Sequence, residues 1–239
     1  MITMRRNPVF LSTLLAAVLI LCAANAGSAG EVAPAKAYGK ICFTVVTQGN
    51  DGTKEAPFGP ESKPGPGESL LAHAIASDPC VLLIAGFDRA SEGLANGWRP
   101  QIAEMMTAWE EIAFPSPGWS WQTGSAEVDL YAVFIPPGSG DVAGLKQLVG
   151  AMQRPDADPD LLQSQADKLR ELITALCGDT DPARHHATVA PVAVNGVVRG
   201  GEGFPWRSFA ARVNLTGGHP GLVIFSSGPA ADAQGAKQK

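Results

Sequence analysis

Tryptophans and arginines form the most distinctive chemical pattern in this sequence. Four tryptophans lie between positions 98 and 121, and a second aromatic cluster occupies residues 204–209. Because large aromatic residues are enriched at interfaces, the two clusters predict a binding surface for a glycan, a peptide or a partner protein. The candidate binding residues are Trp98, Arg99, Trp119, Trp121, Trp206 and Arg207. The alternative is that these tryptophans fill the ends of a hydrophobic core.

Dispersed acids and histidines suggest a second, catalytic hypothesis. A hydrolase or metal-dependent enzyme could use such residues if the fold brought them into one concave pocket. The candidates are Asp179, Asp181, His185 and His219. His185 and His186 are adjacent, so a strand would point them to opposite faces and prevent joint chelation of one metal. The sequence contains no nucleophile-elbow, zinc-protease, Walker or dinucleotide-binding motif, and we predict no catalytic residue, metal site or cofactor.

Composition argues against one class of partner. The 239 residues include 18 Lys+Arg and 23 Asp+Glu, which gives a formal net charge of -5. A nucleic-acid binder needs clustered cationic residues, so this acidic balance argues against DNA or RNA as a ligand. A hydrophobic content of 45% excludes a wholly disordered chain.

The first 26 residues have the pattern of a secretory signal peptide. Arg5 and Arg6 precede an apolar run over residues 9–24, and Ala24-Asn25-Ala26 supplies the small residues of a cleavage site. The run is shorter than the roughly 20 residues that a spanning helix needs, so we expect no stable membrane span after processing. We expect export to the bacterial periplasm or beyond, which an intact mass lacking this segment would demonstrate.

Three cysteines follow the predicted signal peptide, namely Cys42, Cys80 and Cys177. An odd number permits at most one intramolecular disulfide, and the spacing does not identify the pair. The alternative is that each cysteine is a small buried hydrophobic residue.

Hydrophobic periodicity predicts the elements that must position these residues. Strands are predicted over residues 41–46, 68–77, 80–87, 128–135, 189–198, 209–215 and 222–226, with a shorter alternation at 112–114. One helix is predicted over residues 142–152, and a second begins at Pro159 after the N-cap Asp158 and ends before Gly178. The Gly- and Pro-rich residues 48–67 are predicted to form an exposed loop. Residues 102–109 also fit a helical stripe and stay ambiguous.

Strands and helices are segregated along the chain, which argues against an alternating α/β fold. We predict a mainly β protein, an antiparallel β-sandwich with a two-helix insertion. The alternative is an α+β fold in which two helices cover one antiparallel sheet. The predicted organisation is a signal peptide (1–26), a flexible leader (27–40), a single globular domain (41–228) and a disordered tail (229–239).

Three short motifs mark the strand boundaries of residues 66–137, namely Gly67-Glu68-Ser69-Leu70, Ala76-Ser77-Asp78 ahead of the next strand, and Phe114-Pro115. With these motifs, the segment resembles a bacterial β-sandwich family of unknown function. This family occurs in exported proteins and beside caspase-like or kinase domains. The resemblance implies a sandwich with an accessory role and supplies no catalytic residues. We therefore expect an exported, non-catalytic accessory domain that binds an envelope protein or ligand.

Overall fold

The computed structural model describes residues 36–49, 52–60, 62, 68–91, 93–95, 98–115, 121, 127–154, 158–180, 182–185, 187 and 205–227. Within these residues the chain forms two antiparallel sheets and two long helices, so the predicted β-sandwich with a helical insertion is confirmed. The predicted signal peptide, the strand predicted at residues 189–198 and the predicted tail lie outside the described residues.

Nine strands of the described chain form the two sheets. Sheet 1 contains β1 (Tyr38–Gly49), β2 (Gly52–Pro57), β3 (Glu68–Ala76), β6 (Ile112–Phe114) and β8 (Ala211–Asn214). Its order is β2-β1-β3-β6, and β8 pairs with the first part of β1. Sheet 2 contains β4 (Val81–Asp88), β5 (Gln101–Ile102), β7 (Val128–Ile135) and β9 (Gly221–Ser226), in the order β5-β4-β7-β9.

The helices are α1 (Val142–Met152), α2 (Pro159–Cys177) and the single-turn α3 (Pro182–His185). Asp141 caps α1 by accepting a hydrogen bond of 2.8 Å from the Gly144 N–H. Along α2 the buried Ala166, Leu169 and Ile173 recur in steps of three and four residues and pack on sheet 2. The layers therefore run from sheet 1 through sheet 2 to the helices. None of the described helices combines the length and apolarity needed to cross a bilayer.

Strand β4 is apolar on both faces because both faces are covered. Leu82 and Ile84 belong to the core between the two sheets, whereas Val81, Leu83 and Ala85 belong to the core beneath the helices. A strand buried on both faces needs a continuous hydrophobic run rather than an alternating one. The same division on β7 and β9 makes sheet 2 the central layer of the domain.

One expectation about local structure needs correction. The loop predicted over residues 48–67 is wrong in part, since Gly52–Pro57 forms β2 against β1. This edge strand is largely exposed and charged, so it lacks the apolar alternation by which strands are recognised. Residues 102–109, which the sequence pattern left ambiguous, form no helix, and Met106 exchanges backbone hydrogen bonds of 3.3 and 2.7 Å with Cys80.

Candidate binding surface on the outer face of sheet 1

The structure buries two tryptophans of the first cluster against each other. Trp98 and Trp121 are 0% and 3% exposed, and their stacked rings lie with centroids 4.6 Å apart. Both belong to the core between the sheets, so neither indole is available to a partner in this conformation. Arg99 is half-buried and donates a hydrogen bond of 3.2 Å to the Trp98 carbonyl. Trp119 lies outside the described residues.

Trp206 and Arg207 lie in a 3-10 turn before β8, on the outer face of sheet 1. Trp206 is buried against Cys42 and Ile75, and its indole N–H donates a hydrogen bond of 2.5 Å to Glu111. Arg207 is exposed, donates to the other Glu111 oxygen at 3.1 Å and lies 5.7 Å over the Trp206 ring. One carboxylate therefore holds both residues in place.

A polar network lies beside Trp206. Glu55 accepts a hydrogen bond of 2.6 Å from the Thr44 hydroxyl and one of 2.8 Å from His73 Nε2. The His73 ring stacks on Trp206 with centroids 5.8 Å apart. Burial acts to raise the pKa of the Glu55 carboxyl, but the hydrogen bonds from His73 and Thr44, with the charge of His73, hold this pKa below its usual value.

The described cysteines are unpaired and poorly suited to nucleophilic chemistry. Cys42 lies opposite His73 across β1 and β3, but burial and the charge of Glu55 raise the pKa of its thiol to about 12. Burial similarly raises the pKa values of Cys80 and Cys177 to about 11. Since the thiolate is the reactive form, a nearby histidine and carboxylate do not make Cys42 a catalytic nucleophile at neutral pH.

An exposed tryptophan stands at the other end of this face. Trp109 is 60% exposed and has a backbone φ of 66°. Its backbone N–H donates a hydrogen bond of 2.7 Å to the Ala76 carbonyl. The left-handed conformation is strained for a bulky side chain, and such residues cluster at functional sites. The indole meets the Tyr38 ring edge-on, with centroids 5.8 Å apart.

Two cations adjoin this aromatic pair. The Arg212 guanidinium lies 4.0 Å over the Tyr38 ring. Lys40 is the register partner of Arg212 across β1 and β8, so their side chains are neighbours on one face. Within the described part of the chain, neither cation forms an ion pair. We call Trp109, Tyr38, Lys40 and Arg212 the outer aromatic surface.

The segment that carries Trp109 joins the two ends of the face. Tyr38 and Cys42 are four residues apart on β1, which corresponds to about 13 Å along the strand. Trp109 packs on Tyr38, and Glu111, two residues later, bonds to Trp206 beside Cys42. The fold thus connects the two aromatic clusters through Trp109 and Glu111, neither of which is among the candidate binding residues predicted from the sequence.

The catalytic candidates form no site within the described residues. Asp179 pairs with Arg184 at 3.0 Å, and His219 is exposed directly after a 3-10 turn over Thr216–Gly218. Asp181 lies outside the described residues, and His185 is half-buried in α3. In the part of the chain that is described, no three His, Cys, Asp or Glu side chains are placed to hold a metal ion.

Glu55 provides a test of the polar network. We expect Glu55→Gln to lower the free energy of unfolding by about 2 kcal/mol at pH 7, because charge-assisted hydrogen bonds are lost. The lowered pKa of Glu55 means that its stabilisation is present above the unfolded pKa of about 4.3 and disappears as pH falls through the native value. Urea unfolding from pH 7 to pH 3 should show the two proteins converging in acid. A constant difference at every pH would contradict this account.

No protein-family model matches the chain, and comparisons with curated proteins and with solved structures give no match.

Proposed function

We propose that this chain is an exported, non-catalytic accessory domain that binds a partner protein or ligand in the bacterial cell envelope through the outer aromatic surface. One observation carries the proposal, the exposure of Trp109 in a strained conformation. An indole that is 60% exposed adds little to the core, and its left-handed backbone costs stability. Contact between Trp109 and a partner accounts for both the exposed indole and the strained backbone.

The outer aromatic surface has residue types that are typical of binding sites, and its internal contacts hold Trp109 in place. Trp, Tyr and Arg are the residue types that dominate interface energies, and Trp109, Tyr38 and Arg212 adjoin one another. The backbone hydrogen bond to Ala76 and the packing on Tyr38 hold Trp109 before any partner arrives. Preorganisation of this kind lowers the entropy lost on binding.

The proposed location rests on the amino-terminal pattern. Arg5 and Arg6, the apolar run over residues 9–24 and the Ala24-Asn25-Ala26 motif support export through a cleaved signal peptide. The resemblance of residues 66–137 to a bacterial sandwich family found in exported proteins supports the same location and the accessory role.

Trp109→Ala is the decisive variant for the binding proposal. The protein starting at Gly27 is immobilised, incubated with envelope extract and analysed by mass spectrometry, and the Kd of a captured partner is then measured. We expect Trp109→Ala to weaken that Kd by about 30-fold, which corresponds to about 2 kcal/mol at an interface hot spot. Its unfolding free energy should stay within about 0.5 kcal/mol of the parent, as for other surface changes.

Leu161→Ala supplies the matched control. Leu161 is a similarly exposed apolar residue, at 52%, but it lies on α2 in the helical layer. This variant should bind as the parent does. Equal partner binding by Trp109→Ala and the parent would refute the proposal.

A further inference from the structure

Building on the proposed function, we infer that the partner is a protein that presents an acidic segment to the outer aromatic surface. Its carboxylates bind Lys40 and Arg212, and an adjacent apolar residue contacts Trp109. The recognition element is thus a short run of Asp or Glu interrupted by a hydrophobic side chain.

The paired cations carry this inference. Lys40 and Arg212 are directly opposite on antiparallel strands, which places their Cβ atoms about 5 Å apart and makes the like charges repel. No acid pairs with either cation in the described part of the chain. A carboxylate bound between them removes the repulsion and adds charge-assisted hydrogen bonds.

Contact with the Tyr38 ring positions the Arg212 guanidinium to bind a carboxylate. The guanidinium carbon lies 4.0 Å over the Tyr38 ring, and this contact restricts the side chain. A guanidinium can donate two parallel hydrogen bonds to one carboxylate. Trp109 contacts the same Tyr38 ring, so an apolar contact and the anion site lie within one short peptide's reach.

Three described acids near this surface form hydrogen bonds that do not involve its cations. Glu110 accepts a hydrogen bond from the Thr107 hydroxyl, and Asp78 accepts one of 2.6 Å from the Ser77 hydroxyl. Glu111 bonds to both Trp206 and Arg207. Among the described residues, no acid occupies Lys40 or Arg212, so both cations can bind an external anion.

Net charge favours a short acidic peptide over a large polyanion. At a formal net charge of -5, the chain repels nucleic acids and anionic membranes at long range. A peptide segment with a few carboxylates can be bound by Lys40 and Arg212 alone. Electrostatic complementarity then selects the partner and aligns it.

Two synthetic peptides test the inference by fluorescence anisotropy with the protein starting at Gly27. One is a fluorescein-labelled repeat of Glu-Leu-Glu-Gly, and the other is the matched repeat of Lys-Leu-Lys-Gly. We expect the protein to bind the glutamate peptide, with affinity that falls as salt is added. Trp109→Ala and the double variant K40E/R212E should each weaken this binding by about tenfold or more, and the double variant should prefer the lysine peptide.

Lys40→Glu alone separates binding from folding. A glutamate at this position forms a cross-strand ion pair with Arg212, so the melting temperature should rise or stay constant while glutamate-peptide binding is lost. Equal binding of both peptides, or unchanged binding by the charge-reversed variants, would overturn the inference. A dimer in analytical ultracentrifugation that K40E/R212E abolishes would overturn it too, because the occupant would be a second copy of this chain.

The outcomes also distinguish this inference from the proposed function. If K40E/R212E retains the envelope partner while Trp109→Ala loses it, the surface binds but its ligand is not acidic. If Trp109→Ala also retains the partner, the proposed surface itself is wrong.

Discussion

Replacing Trp98 or Trp121 with alanine is expected to lower the free energy of unfolding by about 3–5 kcal/mol, as for large aromatic side chains deleted from packed cores. The two rings are stacked and inaccessible, at 0% and 3% exposure. The surrounding core is shaped to fit them, since a Cβ added at Gly86 would lie 2.5 Å from the Trp98 ring. Denaturant unfolding of each variant measures the loss.

Phenylalanine at either position provides the matched control. Neither indole nitrogen has a hydrogen-bond partner in the described structure, so Trp98→Phe removes volume without breaking a polar contact. We expect a much smaller loss than for alanine. The double variant of Trp98 and Trp121 to alanine should cost less than the sum, because the two cavities merge. Parent-like stability of Trp121→Ala would show that its indole lies at the surface.

Strong local periodicity allowed several elements to be predicted with their bounds. Strand β7 and the helices α1 and α2 occupy the residues expected from the sequence. In each case a regular pattern is bounded by residues with a specific backbone role, such as Pro159 at a helix start and Gly178, with φ of 76°, after its end. These signals act within a few residues and need no knowledge of the rest of the chain.

The inward or outward direction of an aromatic residue could not be predicted in the same way. Alternation shows which residues share a face, but not which face meets the other sheet. Trp121 is directed into the core by its bridge to Leu70, a partner far away in the sequence. Trp109 is directed outward by its left-handed backbone, which no residue pattern indicates.

The outer aromatic surface depends on a long-range pairing. The first strand begins at Tyr38, three residues earlier than predicted. A predicted strand with that start would have placed Tyr38 and Lys40 on one face, because alternate residues of a strand share a face. Arg212 joins them only because β8, late in the chain, pairs with the start of β1. Sequence patterns do not encode that register, and the cation pair could therefore be found only in the folded chain.

Arg89→Ala is expected to lower the free energy of unfolding by about 3 kcal/mol, because it leaves a buried carboxylate without its ion-pair partner. Asp129 on β7 is only 7% exposed, and Arg89 donates to its Oδ1 at 2.8 Å and to the Ser227 carbonyl at 3.0 Å. The hydrogen bond to Asp129 also raises the pKa of Arg89. The Arg89 guanidinium thus connects the end of β4 to Asp129 on β7 and to Ser227, the residue after β9.

A second substitution separates the buried charge from the loss of packing. Adding Asp129→Asn to Arg89→Ala removes the uncompensated carboxylate, so part of the lost stability should return in a double-mutant cycle measured by denaturant unfolding. Arg184→Ala is the exposed control, since the Arg184 side chain is 74% exposed and its pair with Asp179 should contribute less than about 1 kcal/mol. If Arg89→Ala were as mild as Arg184→Ala, Asp129 would have to reach water without Arg89, and the connection between these strands would not depend on the ion pair.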